Sequence, residues 1–121
     1  MKKQTGDILL RKIALPPLVG EDPETLILGT LPGDESLLHC EYYRNRRNRF
    51  WKVFASLTRE CLDLYADKER ALMSRRIALW TVLESAERKG STNRKLHNVK
   101  PNDIRAFLQK YPTINTIVFN G

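Results

Sequence analysis

The segment richest in reactive side chains is Tyr42-Tyr43-Arg44-Asn45-Arg46-Arg47-Asn48-Arg49-Phe50-Trp51-Lys52, with five basic residues in the nine positions from Arg44 to Lys52. Guanidinium groups pair with phosphates through a two-pronged fork, and exposed tyrosines stack on bases. Clustered like charge repels itself unless an anion neutralises it, so Arg44, Arg46, Arg47 and Arg49 form a candidate phosphate surface. The competing reading is a solvated helix start, in which Phe50 and Trp51 are simply core residues. Asn48 also has two readings. Its side chain can cap the helix that follows, or its amide can orient a water molecule or a base edge in an active site. Gly29-Thr30-Leu31-Pro32-Gly33 is the second segment of interest, because a turn at the end of a strand can present backbone N–H groups to a ligand. Taken alone it reads as a plain Pro-Gly turn, and it is neither a P-loop nor a dinucleotide fingerprint.

Other chemistries find little support. His39-Cys40, Cys61 and His97 lack metal-ligand spacing, and no Ser-His-acid or Cys-His arrangement is evident. Asp34 and Glu35 follow the turn and read as solvated carboxylates. The two cysteines are too few for a disulfide framework and are expected as reduced thiols of a cytosolic protein. Lys and Arg number 21 against 14 Asp and Glu, a formal charge of +7 that favours a polyanionic partner: nucleic acid first, an acidic membrane surface second. No apolar run approaches the roughly 18 residues that span a bilayer. The basic opening Met1-Lys2-Lys3 is not followed by an apolar stretch, so no signal peptide is expected.

The elements that would hold these residues follow from periodicity. At 121 residues the chain is expected to form one domain, 1–121, with an extended, proline-bearing lead-in over 1–24 and an α/β core over 25–121. Thr25–Thr30, Ile77–Leu83 and Thr113–Phe119 are short continuous apolar runs, the pattern of strands buried on both faces. Between them, Phe50, Phe54, Leu57, Cys61 and Leu64 mark a helix, 66–76 a second, and Ile104, Phe107, Leu108 and Tyr111 a third, opened by Pro101-Asn102-Asp103 and stopped by Pro112. Residues 84–100 read as a polar, basic loop. The core is expected to take in Trp51, Phe54, Leu57 and Trp80. Alternating strands and helices predict a three-layer α/β/α sandwich around a short parallel sheet, with ligands beyond the carboxyl ends of the strands, at 30–48 and 81–100.

The order of segments carries more than any one of them. Leu15-Pro16-Pro17, Leu26-Ile27-Leu28-Gly29-Thr30-Leu31-Pro32-Gly33, Tyr42-Tyr43, Asn48-Arg49-Phe50-Trp51, Ile77-Ala78-Leu79-Trp80, Arg88-Lys89-Gly90-Ser91, Asn102-Asp103 and Val118-Phe119-Asn120-Gly121 resemble, in order, the uracil-DNA glycosylase superfamily, above all its hypoxanthine (deoxyinosine)-DNA glycosylase branch. The stretch from Asn48 to Val53 is also similar to the mismatch-specific uracil/thymine glycosylases. The resemblance implies an α/β/α sandwich and an enzyme that flips a damaged base out of DNA and hydrolyses its bond to the sugar, with no cofactor and no metal. It implies catalytic roles for Asn48, Gly29 and Thr30, and substrate contacts for Leu31, Pro32, Gly33, Tyr43 and Asn120. It further implies a DNA-binding surface of Arg44, Arg46, Arg47, Arg49, Arg88, Lys89 and Ser91.

Departures from the family pattern are also visible. Leu31 stands where other branches carry a catalytic Asp or Asn, Thr81 where relatives have Asp, and Asn93 where an Asp often follows. The Ser/Pro-rich DNA-gripping loop of the family has no counterpart before Gly121, so the fold is expected to be C-terminally incomplete. The expected function is removal of a deaminated base, hypoxanthine first and uracil second, from double- or single-stranded DNA. No membrane partner and no oligomer are implied, and the expected compartment is the cytoplasm (the nucleoid in a bacterium, the nucleus in a eukaryote). Two alternatives stand beside this reading: a catalytically inactive or truncated nucleic-acid-binding remnant, and a basic α/β domain for a phosphorylated small molecule.

Overall fold

The structure is a computed structural model whose described residues are 8–93 and 95–120. Residues 1–7, Arg94 and Gly121 lie outside them, and with them the expectation about a signal peptide. In chain order the described elements are β1 (Leu9–Ile13), β2 (Thr25–Gly29), α1 (Asp34–His39), α2 (Phe50–Thr58), α3 (Tyr65–Ser74), β3 (Ile77–Thr81), β4 (Leu83–Lys89), β5 (His97–Pro101), α4 (Ile104–Lys110) and β6 (Thr116–Phe119).

The three apolar runs form one parallel sheet in the order β3-β2-β6. Leu26 sits opposite Ala78 and Ile117, and Leu28 opposite Trp80 and Phe119. Alternate side chains of the central strand leave on opposite faces, and each face meets a helix. Leu26, Leu28 and Ala78 pack against Phe107 of α4. On the other face Leu79 packs with Trp51 of α2 and Leu72 of α3. Leu26, Leu72 and Leu79 are completely buried, and burial of such a side chain stabilises by about 1.5–3 kcal/mol. A sheet covered on both sides needs strands without polar alternation, which is the pattern these runs show. The α/β layering anticipated from the sequence is therefore present.

A second sheet was not anticipated. β1, β4 and β5 form an antiparallel sheet in the order β1-β4-β5, so the lead-in contains a strand and the expected basic loop is a hairpin. β4 continues β3 with only Val82 between them. At that bend the Val82 and Leu83 N–H groups donate to the carbonyls of Gly29 and Thr30, at 2.8 and 3.2 Å. The hairpin was obscured because irregular register breaks the β4–β5 pairing between Leu83 and Glu87, and because β5 is exposed at every position. Gly90, in the hairpin loop, has φ 60, a left-handed conformation that glycine adopts without a Cβ clash.

Two helical expectations are also corrected. α2 stops at Thr58, where Arg59 turns left-handed and returns its N–H to the Ala55 carbonyl. The apolar stripe continues to Leu64 in sequence, but Leu57 and Leu64 are exposed (79% and 66%), so neither is core. Tyr65 instead starts a new helix, with its ring edge-on to Trp51. Tertiary packing here overrides local periodicity. The remaining addition is α1, directly after the Pro-Gly turn, with Asp34 and Glu35 at the positive end of its dipole.

Candidate active site

Beyond the carboxyl end of β2 lies an open cleft of about 860 Å³. Its floor is the turn Gly29–Gly33, one wall is Tyr43 with Phe50, and Asn48, Thr81 and Asn120 reach its margin. The turn is held in place by the strand bend beneath it and by Leu31, whose buried side chain packs with Leu83 and Ala86. Leu31 thus meets the cleft from the core side. Gly33 has φ −69, so the turn places its glycine in extended backbone that any residue adopts. A Cβ added at Gly29 would come within 3.4 Å of the Asn120 carbonyl and 3.9 Å of the Tyr43 hydroxyl, so the backbone at Gly29 lies close under both residues.

The aromatic wall is built from the segment before α2. Tyr42 is buried, with its hydroxyl donating to the Pro16 carbonyl at 2.7 Å and its N–H to the Tyr65 hydroxyl at 2.9 Å. The Trp51 indole N–H donates to the Tyr42 carbonyl at 2.7 Å. With Tyr42 fixed on both sides, the chain passes through Tyr43 at φ 56, a conformation that costs a non-glycine residue on the order of 1–3 kcal/mol. The strain presents the Tyr43 ring to the cleft, 4.2 Å from that of Phe50. Burial pushes the Tyr43 phenol up from its ordinary pKa, and a hydrogen bond with the Asn120 side chain partly offsets the rise.

Asn48 sits one residue before the helix cap, which is Arg49. Its Oδ1 accepts the Phe50 N–H at 2.8 Å, so the capping reading is correct in substance although the cap position is shifted by one residue. Phe50 is only half-buried and lines the cleft, whereas Trp51 is core. Phe54 and Trp80 are half-buried against core clusters.

The basic segment forms the rim. Arg47 and Arg49 line the cleft, and Arg44, Arg46, Arg47 and Lys52 border a neighbouring hollow. Arg44 lies 3.6 Å from Glu41, while the exposed Arg46, Arg47 and Arg49 have no ion pair among the described residues. Lys89, at the end of β4, is exposed. Arg88 is not: it is 0% exposed, with its guanidinium turned onto the Pro32 carbonyl and Asp34. A fully buried guanidinium with protein acceptors has no face for a DNA phosphate, so the expected contact by Arg88 is corrected. Ser91 lines the cleft, but its Oγ accepts the Asp34 N–H at 2.8 Å.

Sequence reasoning missed Asn93 as a constituent of this region. It lines the cleft and joins the turn to the hairpin, and the signals available were its place three residues after Gly90 and its standing where the family often has Asp. Among the described residues lining the cleft there is no carboxylate and no histidine. Asp34, the nearest acid in sequence, faces Arg88 and Lys12. The cleft therefore offers stacking surface, amides, hydroxyls and backbone groups under a basic rim. That inventory suits a planar, uncharged heterocycle attached to a polyanion.

No protein-family model matches the sequence. A hypoxanthine DNA glycosylase of Methanosarcina barkeri is 32% identical over 114 residues, covering 93% of this chain and 72% of the relative. One from Methanosarcina acetivorans is 36% identical over 112 residues, covering 91% and 71%. Among solved structures, a Methanosarcina acetivorans protein determined by solution NMR and assigned provisionally as a uracil DNA glycosylase matches with a TM-score of 0.81 and 36% identity, over 93% of this chain and 71% of that one. No helix of the described residues is long and apolar enough to cross a membrane. At this identity and coverage, and with a shared fold, the chain belongs to the uracil-DNA glycosylase superfamily, in the hypoxanthine DNA glycosylase branch.

Proposed function

We propose that the chain is a DNA glycosylase that hydrolyses the N-glycosidic bond of a deaminated base, hypoxanthine first and uracil second, after the base has been flipped from a duplex. The observation that carries this reading is the pairing of an aromatic cleft, free of carboxylates among the described residues, with arginines at its mouth of which Arg46, Arg47 and Arg49 have no ion pair among those residues. The bond to be broken is inaccessible inside the base stack, so the nucleotide must leave the helix. Arg44, Arg46, Arg47 and Arg49 grip the flanking phosphates, with Lys89 farther along the surface. The extruded base enters between the Tyr43 ring and the turn Leu31–Gly33, and Asn120 holds the Tyr43 hydroxyl that borders it.

Cleavage develops positive charge on the sugar and negative charge on the departing base. With no carboxylate among the described residues of the cleft, their contribution is electrostatic: fixed donors aimed at the leaving base, and a water held by neutral groups. Asn48, with Oδ1 bound to the Phe50 N–H, presents its Nδ2 donor for this purpose. The backbone of Gly29 and Thr30 completes the site. No cofactor enters the scheme, and the enzyme acts wherever its DNA lies, in the cytoplasm or the nucleus.

The test is single-turnover cleavage of otherwise identical duplexes containing deoxyinosine, deoxyuridine or no damaged base. The expected order is deoxyinosine faster than deoxyuridine, with the undamaged duplex intact. Salt-dependent binding to all three without excision of any would make the chain a nucleic-acid-binding relative that has lost turnover.

A further inference from the structure

The buried arginine of the hairpin is the strongest feature that the proposed function leaves unused. Arg88 belongs to β4, yet its side chain runs to the turn that floors the cleft. Nη2 donates to the Pro32 carbonyl at 2.7 Å and to Asp34 Oδ1 at 3.2 Å. Nε donates to the Gly90 carbonyl at 2.6 Å and Nη1 to Asn93 Oδ1 at 3.0 Å. Asn93 in turn directs Nδ2 to the Leu31 carbonyl at 3.4 Å, and the Asp34 N–H donates to Ser91 Oγ at 2.8 Å. Lys12 of β1 approaches Asp34 Oδ1 to 3.0 Å from the other side. Backbone groups at three of the four positions from Leu31 to Asp34 are therefore held by the β4–β5 hairpin, and the charge at Asp34 ties the turn to both β1 and β4.

We infer that Arg88 is a positioning residue: with Asn93 and Ser91 it clamps the turn Leu31–Asp34, so that the second sheet sets the geometry of the cleft floor. This role rests on the glycosylase reading for its consequence in catalysis, although not for its geometry. A guanidinium is suited to it because its planar fork serves four acceptors in two segments at fixed angles, which an ammonium cannot do. Taking that charge out of water is unfavourable, and burial lowers the Arg88 pKa while Asp34 opposes the change. The arrangement is tolerable only because each of the three guanidinium nitrogens meets an acceptor. A floor that shifts by an ångström costs a reaction dependent on orientation about 10²-fold, even when no reacting group has been removed.

The experiment uses Arg88→Lys and, because a buried arginine can be essential for folding, Asn93→Ala, which unclamps Leu31 without leaving a charge unpaired. Three readouts are taken on each folded variant. Backbone amide resonances of Thr30, Leu31, Gly33 and Asp34 are expected to move, while those of α4 stay in place. Affinity for a deoxyinosine duplex and its salt slope are expected to match wild type, while single-turnover excision falls about 10²-fold. Two results would overturn the clamp: unmoved turn amides, or an excision loss that merely follows the unfolded fraction. Should wild type excise no deaminated base, the proposed function fails, and the amide readout still decides the clamp.

Discussion

At Asn48 the two ends of one amide face different tasks. Oδ1 accepts the Phe50 N–H at 2.8 Å, and Nδ2 has no acceptor among the described residues. Substitution separates the two. Asn48→Asp keeps an acceptor for the helix start and is expected to melt with wild type, whereas Asn48→Ala should lose about 1 kcal/mol. Both lack the donor, and both are expected to slow single-turnover excision by about 10²–10³-fold, the usual cost of one hydrogen bond to developing charge. Wild-type excision by Asn48→Asp would reduce the residue to a cap. The capping half of this role was legible in the sequence, because Asn before an amphipathic run is an N-terminal signal. Arg88 was not legible. In the string Arg88-Lys89-Gly90-Ser91 two basic residues look alike, and only the strand alternation of β4 turns one inward and the other out.

Among the elements, helices with a clear partner were read most faithfully. Phe107 faces the parallel sheet as the spacing of Ile104, Phe107 and Leu108 requires, and Asp103 caps α4 by accepting the Ala106 N–H at 2.9 Å. α2 was read too long, because an apolar stripe records which side chains could be buried and not where the chain must turn. The loop before α2 carries the prediction at this scale. Arg46 and Arg47 are exposed and make no ion pair among the described residues, so replacing both by alanine should leave the melting temperature unchanged. If each meets one phosphate, the slope of log affinity against log salt should become shallower by about 1.8 in the double variant. Titrating duplex binding across a range of salt concentrations gives that slope directly. An unaltered slope would remove both residues from the DNA surface.

For the whole molecule, the continuous apolar runs made the parallel sheet legible, whereas the β1–β4 half of the antiparallel sheet depends on pairings between residues some 75 positions apart, such as Leu10 with Arg88, that no local pattern encodes. One face of the parallel sheet carries, with Trp51 of α2 and Leu72 of α3, a group of tyrosines whose protonation couples the fold to alkaline pH. Tyr42, Tyr43 and Tyr65 are all raised above the ordinary phenol range, each first by burial, and Tyr65 is pushed up to about 12. In the unfolded chain the same groups titrate near 10. The unfolded state therefore releases its protons first, so stability is intact below about pH 10 and declines as pH rises towards the folded values. Tyr42 makes the consequence concrete, since its ionisation would abolish the bond it donates to the Pro16 carbonyl. Thermal melts are expected to be level between about pH 7 and about pH 9 and to fall steeply above about 10, less steeply in Tyr42→Phe. Excision should be level over the same range, because the described lining of the cleft contains no carboxylate or histidine to titrate, and should fail only as the fold does. A bell-shaped rate profile centred near neutrality would contradict this, since it would require a carboxylate or histidine that the described lining of the cleft does not contain.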